Sequence, residues 1–439
     1  MTGEIDHKNV KGEEKKKLLS RLLSKKKDPP ADDDVKVTAM ENNLTIREGI
    51  KELDSSLGLL KLFREKDPFF RTFDGLMKPV LIHQGKDVIN FASYDYLGLA
   101  CDARIHEAAY AATKKLGSSV SASRVASGER PIHQELENAI ADFYGVEGAL
   151  VFVGGYATNE GVLGHIAGPG DLIIHDALMH RSAIDGAQLS GARRIAFPHG
   201  NLDHLERYLD QHRTEFRQCF ILVEGIYSMD GDLPDLERLV EIKKRFDAYL
   251  FVDEAHSLGV LGETGRGISE HYGIAATEID ILMGTLSKSF ASCGGFIAAN
   301  KELIRYLRYT TPAFVYSVGM TPANTAAALR AIQIAQNEPE RVKQVQENGR
   351  HFFELLKSEN LNVGYSAGFN IVPIIVKNTK KTVRFSNALL DAGINAQAIF
   401  HPVVPESEAR LRLFVTSSHE KQLLEQSVET IARLHKKHC

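Results

Sequence analysis

A mostly parallel seven-stranded sheet held between helices, with a smaller α+β unit after it, is the α/β architecture that this sequence predicts. Three observations predict it. Between Ala149 and Asn300 short apolar runs alternate with polar helical stretches, each run is followed at once by a polar cluster, and after about Asn337 the alternation stops. Runs that are apolar throughout belong to strands covered on both faces, as in a parallel sheet.

The elements follow in order. At 439 residues the chain is long enough for a large catalytic domain and a smaller one. Residues 1–44 read as a flexible basic arm, in which Lys15, Lys16, Lys17 and Lys25, Lys26, Lys27 bracket Leu18, Leu19, Leu22 and Leu23, ahead of Pro29-Pro30 and Asp32-Asp33-Asp34. Leucines between basic clusters suit an acidic partner or an anionic surface, although the composition by itself favours a solvated tail. Residues 45–93 form an N-terminal segment with helical spacing at Ile46, Ile50 and Leu53, leading to a strand-like Ile89-Asn90-Phe91. Residues 94–336 form the large domain, with apolar runs at 149–153, 172–174, 194–197, 220–223, 249–252, 281–283 and 295–298. Residues 337–439 form the small domain: a helix over Glu340 to Lys357, strands over Asn370 to Val376 and Arg412 to Val415, and a helix from about Lys421 to His438.

Composition excludes several classes. Apolar residues at 43% and charged residues at 25% describe a globular protein, and a net charge of −4 spread through the chain gives no reason to expect nucleic acid. No apolar run approaches the length of a membrane span. Cys101, Cys219, Cys293 and Cys439 lie far apart without metal-ligand spacing, so no metal is expected, and the absence of a signal-peptide pattern fits a reducing cytoplasm.

In such a sheet ligands bind beyond the carboxyl ends of the strands. Those ends read Gly154-Gly155-Tyr156, His175-Asp176, Glu224 to Ser228, Asp253-Glu254-Ala255-His256, and Gly284-Thr285-Leu286-Ser287-Lys288. Singly, a Gly-Gly is a common turn and an aspartate a common helix cap. Together they meet the needs of pyridoxal phosphate. A phosphate dianion is held by backbone N–H groups at a helix start and by hydroxyls, which Gly155, Tyr156, Thr285 and Ser287 supply. The aldehyde needs a lysine of lowered pKa, and Lys288 stands right after a strand. The ring nitrogen needs an anion to remain protonated, which Asp253 provides, and His256 lies within reach of the phenolic oxygen.

At these residues the chain resembles the α-oxoamine synthases, a family of fold-type I pyridoxal-phosphate enzymes. The likeness runs from about Asn90 to His419 through Asn-Phe-Ala-Ser-Tyr-Asp-Tyr-Leu-Gly-Leu (90–99), Ser-Gly-Glu-Arg-Pro-Ile-His-Gln-Glu-Leu-Glu (127–137), Val-Gly-Gly-Tyr-Ala-Thr-Asn (153–159) and Tyr-Ser-Met-Asp-Gly-Asp (227–232). It continues with Val-Asp-Glu-Ala-His-Ser-Leu-Gly (252–259), Gly-Thr-Leu-Ser-Lys-Ser-Phe (284–290) and Ala-Arg-Leu-Arg (409–412). The resemblance implies that Lys288 carries the cofactor and acts as the general base, that His180 stacks on its ring and seats the thioester, and that Asp253 pairs with the ring nitrogen. It further implies that Ser228 and His256 surround the cofactor's oxygen and that Arg412 clamps the amino-acid carboxylate. Ser317 would reach the phosphate of a second copy, making a homodimer with shared active sites. The reaction implied is decarboxylative condensation of a small amino acid (serine, glycine or alanine) with an acyl thioester, giving an α-aminoketone.

Three positions depart from the family pattern. Tyr94 stands where many members have asparagine, which bears on the substrate carboxylate; Val318 replaces a threonine; and Phe400 to Pro405 lacks the Arg-Pro-Pro-Thr of 8-amino-7-oxononanoate synthases, which argues against that member. The 284–295 and 315–324 stretches look most like serine palmitoyltransferase or members served by acyl carrier proteins, and the basic arm suits an acidic carrier. Alternatives are a serine palmitoyltransferase proper or glycine C-acetyltransferase-like enzyme using acyl-CoA, an aminotransferase or lyase on the same fold, and a non-enzymatic partner subunit. The presence of Lys288, Asp253 and His180 speaks against the last.

Overall fold

The computed structural model describes residues 46–63, 65–401 and 403–439. Thirteen strands are found among them, and the first two, β1 (Val80–His83) and β2 (Lys86–Asn90), form a hairpin. Next come β3 (Gly148–Phe152), β4 (Leu172–Asp176), β5 (Arg193–Phe197), β6 (Cys219–Glu224), β7 (Tyr249–Asp253), β8 (Ile281–Thr285) and β9 (Gly295–Ala299). They build one seven-stranded sheet in the order β3-β9-β8-β7-β6-β4-β5. β9 pairs antiparallel with both neighbours and every other pairing is parallel. The expected mostly parallel sheet is present, and its apolar runs are buried because helices cover both faces.

This order positions the site. Because β3 and β8 both oppose β9, the strands β3, β8, β7, β6 and β4 all point the same way. Their carboxyl ends therefore line one edge of the sheet and bring Gly155, Thr285, Asp253, Glu224 and Asp176 into one row, although up to 130 residues separate them along the chain (285 minus 155). Such an edge is where α/β folds bind their ligands.

The remaining strands are β10 (Ile371–Ile375), β11 (Ile394–Asn395), β12 (Gln397–Ile399) and β13 (Arg410–Phe414). An antiparallel sheet β10-β13-β12 lies against the helices Glu340–Ser358, Thr379–Asp391 and Lys421–His438. β12 and the helix Thr379–Asp391 were not anticipated: three residues are too few for a periodic signal, and that helix opens on Thr-Lys-Lys-Thr. β11 joins β2 in parallel, and Phe91 lies in the C-terminal core, stacked on Phe352 and on His419. The segment before the large sheet is thus packed with residues from 261 (352 minus 91) to 328 (419 minus 91) positions later in the sequence.

The expectations for residues 1–44 lie outside the described residues. No helix among the described residues is long and apolar enough to cross a membrane. No group of three or more His, Cys, Asp or Glu among them could hold a metal ion, and the four cysteines are free.

Candidate active site

β7 ends on Asp253, which is buried. Its Oδ1 accepts from the Ala255 N–H at 3.0 Å and its Oδ2 from Asn159 Nδ2 at 2.7 Å. The chain turns there, and three residues on His256 is buried with Nδ1 2.7 Å from the Tyr96 hydroxyl. Burial pushes His256 far below the ordinary histidine range, reinforced by the positive charges of Lys288 and Arg412, so the imidazole is neutral. Burial pushes the Tyr96 phenol up, so the phenol keeps its proton and the pair is joined by a hydrogen bond between two neutral groups.

Lys288 follows β8 by three residues and is half-buried. Desolvation of the amine lowers its pKa to about 8, opposed by Asp253 and Glu224 and assisted by Arg412. Its Nζ lies 5.7 Å from the centroid of the Tyr94 ring. A desolvated lysine of that pKa is unprotonated often enough near neutrality to be a nucleophile and a base.

Arg412 projects from β13, its Nη1 donating to the Ser228 carbonyl at 3.1 Å and its Nη2 approaching the Tyr94 hydroxyl at 3.4 Å. Its guanidinium lies 4.8 Å from the Phe414 ring centroid. Arg412 enters none of the ion pairs found among the described residues, and its buried Nε has no partner. Its neighbour Arg410, by contrast, is paired with Asp230 and Glu408. A buried arginine without an acid is what a carboxylate ligand requires.

His180 caps the helix Arg181–Leu189, its Nδ1 accepting from the Ser182 N–H at 3.3 Å and lying 2.7 Å from Ser182 Oγ. The residue as a whole is exposed, yet desolvation of the ring lowers its pKa, with Asp253 opposing and Lys288 and Arg412 assisting. His180 therefore feels Asp253 and Arg412, the same two charges that act on Lys288.

The phosphate end is equally open. The helix Gly155–Ile166 starts after Gly154, which offers no side-chain cap, so its first N–H groups remain available. Gly155 lies so close to β8 that a Cβ would come within 3.1 Å of Thr285 Oγ1, and Thr285 Oγ1 is 2.6 Å from Ser287 Oγ. The Tyr156 side chain turns away to Asp185, leaving its backbone as the useful part. These donors, the Asp253 carboxylate, the His256 ring and the free Arg412 fit pyridoxal phosphate carrying an amino acid.

The comparisons decide the family. Residues 86–431 match the model for aminotransferase class I and II. The chain is 38% identical to an 8-amino-7-oxononanoate synthase of Petrotoga mobilis over 89% of this chain and 97% of that protein. A second, from Fervidobacterium nodosum, is 37% identical over 84% and 93%. Among solved structures, the serine palmitoyltransferase of Sphingomonas wittichii superposes with a TM-score of 0.86 at 28% identity, covering 90% of this chain and 98% of that one. The chain belongs to the α-oxoamine synthases, within the class I and II aminotransferase family. Its cofactor is pyridoxal phosphate, which a serine palmitoyltransferase structure of the same TM-score carries. The 8-amino-7-oxononanoate synthase of Francisella tularensis superposes less closely, with a TM-score of 0.70 at 26% identity over 80% of this chain and 98% of that one.

Phe400 to Pro405 lacks the Arg-Pro-Pro-Thr pattern, yet sequence relatives bear the name 8-amino-7-oxononanoate synthase while the structural likeness is stronger to serine palmitoyltransferase. A single loop motif is too short to rank members of this α-oxoamine synthase family. Ser317, expected at the cofactor of a second copy, donates its hydroxyl to the Val318 carbonyl at 3.4 Å.

Sequence reasoning missed Asn159, Glu224 and Tyr96 as members of the site. Asn159 had a signal, since it lies four residues after Gly155 and so on the same helix face. Glu224 and Tyr96 stood inside quoted motifs, but nothing in a linear sequence says which partner a buried polar group meets.

Proposed function

We propose that this α-oxoamine synthase condenses a small L-amino acid, serine, glycine or alanine, with an acyl thioester, releasing carbon dioxide and free thiol. The observation that carries the proposal is Arg412: a buried guanidinium with no acid of its own, electrostatically coupled to Lys288 and bonded to Tyr94.

Bound at this site, pyridoxal phosphate supplies an electron sink for the charge left on the amino acid's α-carbon. The chain's residues do the rest. Arg412 holds the carboxylate and thereby orients the bonds at the α-carbon. Tyr94 steadies the guanidinium and lies below the Lys288 amine. Lys288, with its pKa near 8, takes the α-proton as general base. Asp253 keeps the cofactor nitrogen protonated, and His256 meets the phenolic oxygen beside Ser228. Gly155, Tyr156, Thr285 and Ser287 hold the phosphate through backbone and hydroxyl donors. His180 covers the ring and faces the incoming thioester.

Two copies complete the site in this reading, Ser317 of one reaching the phosphate held by the other. Light scattering should give a dimer mass, and Ser317→Ala should weaken cofactor retention. A monomer that retains cofactor fully would end that part. The donor we favour is an acyl carrier protein, on the lysine clusters at 15–17 and 25–27; deleting residues 1–44 should lower turnover with carrier-bound acyl chains more than with acyl-CoA. Equal effects on both would remove the arm from the account.

The main test is direct. Borohydride reduction followed by peptide mass spectrometry should place a reduced pyridoxyl adduct on Lys288, and a mixture of candidate amino acids and thioesters should yield an α-aminoketone. Absence of the adduct, or amino-group exchange without carbon–carbon bond formation, would overturn the reading.

A further inference from the structure

His180, Ser182, Asn159 and Asp253 form an unbroken line of hydrogen bonds drawn from two helices and a strand. Asn159 Nδ2 donates to Asp253 Oδ2 at 2.7 Å and to Ser182 Oγ at 2.9 Å. Ser182 Oγ in turn lies 2.7 Å from His180 Nδ1, which also accepts from the Ser182 backbone N–H at 3.3 Å. Asn159 and Ser182 are each 1% exposed, so solvent does not compete for these bonds.

The direction of the line is forced from its Asp253 end. A carboxylate only accepts, so the amide nitrogen of Asn159, not its oxygen, must face it. The two amide hydrogens are then used on Asp253 and Ser182. Ser182 Oγ accepts one of them, and its single proton has one place left, His180 Nδ1. With two donors aimed at it, Nδ1 stays unprotonated, and the proton of the neutral ring resides on Nε2. The same two donors oppose protonation at Nδ1, and desolvation of the ring separately lowers the pKa of His180. Asn159 Oδ1 is buried without a partner, at a cost of about 1–3 kcal/mol. A residue kept in that state is kept for its donors.

We infer that Asn159 and Ser182 are positioning residues that hold His180 as its Nε2–H tautomer, so that the ring presents a hydrogen-bond donor to the carbonyl oxygen of the incoming acyl thioester. This rests on the condensation reading above. Negative charge grows on that oxygen as the new carbon–carbon bond forms, and a donor already oriented towards it needs no reorganisation. The same line ties the donor to Asp253, so the group that tunes the cofactor nitrogen and the group that meets the second substrate are fixed by one hydrogen-bond pattern.

The test uses full-length, cofactor-loaded protein labelled with ¹⁵N-histidine, with the His180 signals identified by their loss in His180→Asn. An unprotonated Nδ1 and a protonated Nε2 are expected, and Ser182→Ala should shift the His180 pattern towards mixed tautomers. Losing one oxyanion donor typically lowers turnover about 100-fold or more. Because the backbone N–H of residue 182 remains, Ser182→Ala should lower thioester turnover by about 10-fold or more, with amino-acid affinity from cofactor absorbance changed less than about 2-fold. Ser182→Thr, which keeps the hydroxyl, should recover most of the rate. A protonated Nδ1 in the wild-type protein overturns the assignment, as does unchanged thioester turnover in a folded Ser182→Ala. A wild-type protein that shows the Nε2–H pattern but forms no aminoketone overturns the thioester role and the condensation reading while leaving the tautomer intact.

Discussion

Glu224 and Asp253 stand opposite each other, in register, at the carboxyl ends of β6 and β7, and the pKa of Glu224 is raised well above the ordinary carboxylate range. Burial comes first among the causes, then repulsion from Asp253; Lys288 and the Ser228 N–H, which donates to Glu224 Oε2 at 3.1 Å, do not compensate. Two like charges side by side in a dry edge cannot both persist. Glutamine mimics the protonated acid, so Glu224→Gln should retain activity within about 3-fold and should not destabilise at neutral pH. A folded pKa above the unfolded one means that the stability contributed by wild-type Glu224 is complete below pH about 4.5 and is lost as pH rises towards the folded value. The advantage of the glutamine variant should therefore grow between pH 5 and pH 8, by at most about 1.4 kcal/mol per unit, in urea midpoints taken across that range. A constant difference would show that Glu224 does not titrate there.

His199 bridges Asp176 through Nδ1 and Asp232 through Nε2, each at 2.8 Å. Burial would lower its pKa, but the two carboxylates win and raise it to about 10. With the folded pKa raised, the stabilisation is complete below the unfolded value of about 6.5 and fades as pH climbs towards 10. His199→Ala should cost about 2–4 kcal/mol at pH 6 and clearly less at pH 9.5, by urea denaturation at both. Because the bridge pins the Tyr227–Asp232 loop to β4, the variant should also hold cofactor less tightly at pH 6.

Arg412→Ala should raise the apparent dissociation constant for the amino acid by about 10- to 100-fold, the loss of a charge-assisted pair, read from cofactor absorbance. The KM for the thioester should move far less. Arg412→Lys should recover only part, since a point charge cannot reproduce a bidentate fork.

Glu137 is a structural counterpart. It accepts from Arg124 at 2.6 Å, from Arg308 at 2.5 Å and from the Val151 N–H of β3 at 3.0 Å, and it is 3% exposed. Glu137→Ala leaves Arg124 buried with Glu129 alone, and should cost about 3–5 kcal/mol in denaturant midpoint. Catalytic constants of the protein that remains folded should be nearly unchanged, because none of these groups lies in the cleft.

The large sheet was legible because each buried strand is a short apolar run closed by a polar cluster, and the site was legible because those clusters carry distinctive chemistry. Lys288, Asp253 and His256 were proposed in this way, whereas Arg412, inside a strand of the small sheet, was proposed from the family resemblance. The small sheet was less so. β11 and β12 have two and three residues, too few to show a period of two, and they exist because β2 and β13 offer them edges. Ser182 lay next to a recognised histidine, yet nothing local distinguishes a hydroxyl that orients a ring from one that caps a helix.

What the amino-acid sequence determined by itself was the inventory: which strands are apolar enough to be buried and which lysine, aspartate and histidine follow them, since burial pattern and residue chemistry are local properties. Only the tertiary structure decided who meets whom. Strand pairing placed residues 155, 224, 253 and 285 along one edge, and side-chain packing left Arg412 without an acid and aimed the Asn159 amide at Asp253 and Ser182, with Ser182 next to His180. Those outcomes depend on distances between atoms far apart in the chain, and burial then magnifies each of them by removing the water that would otherwise screen it.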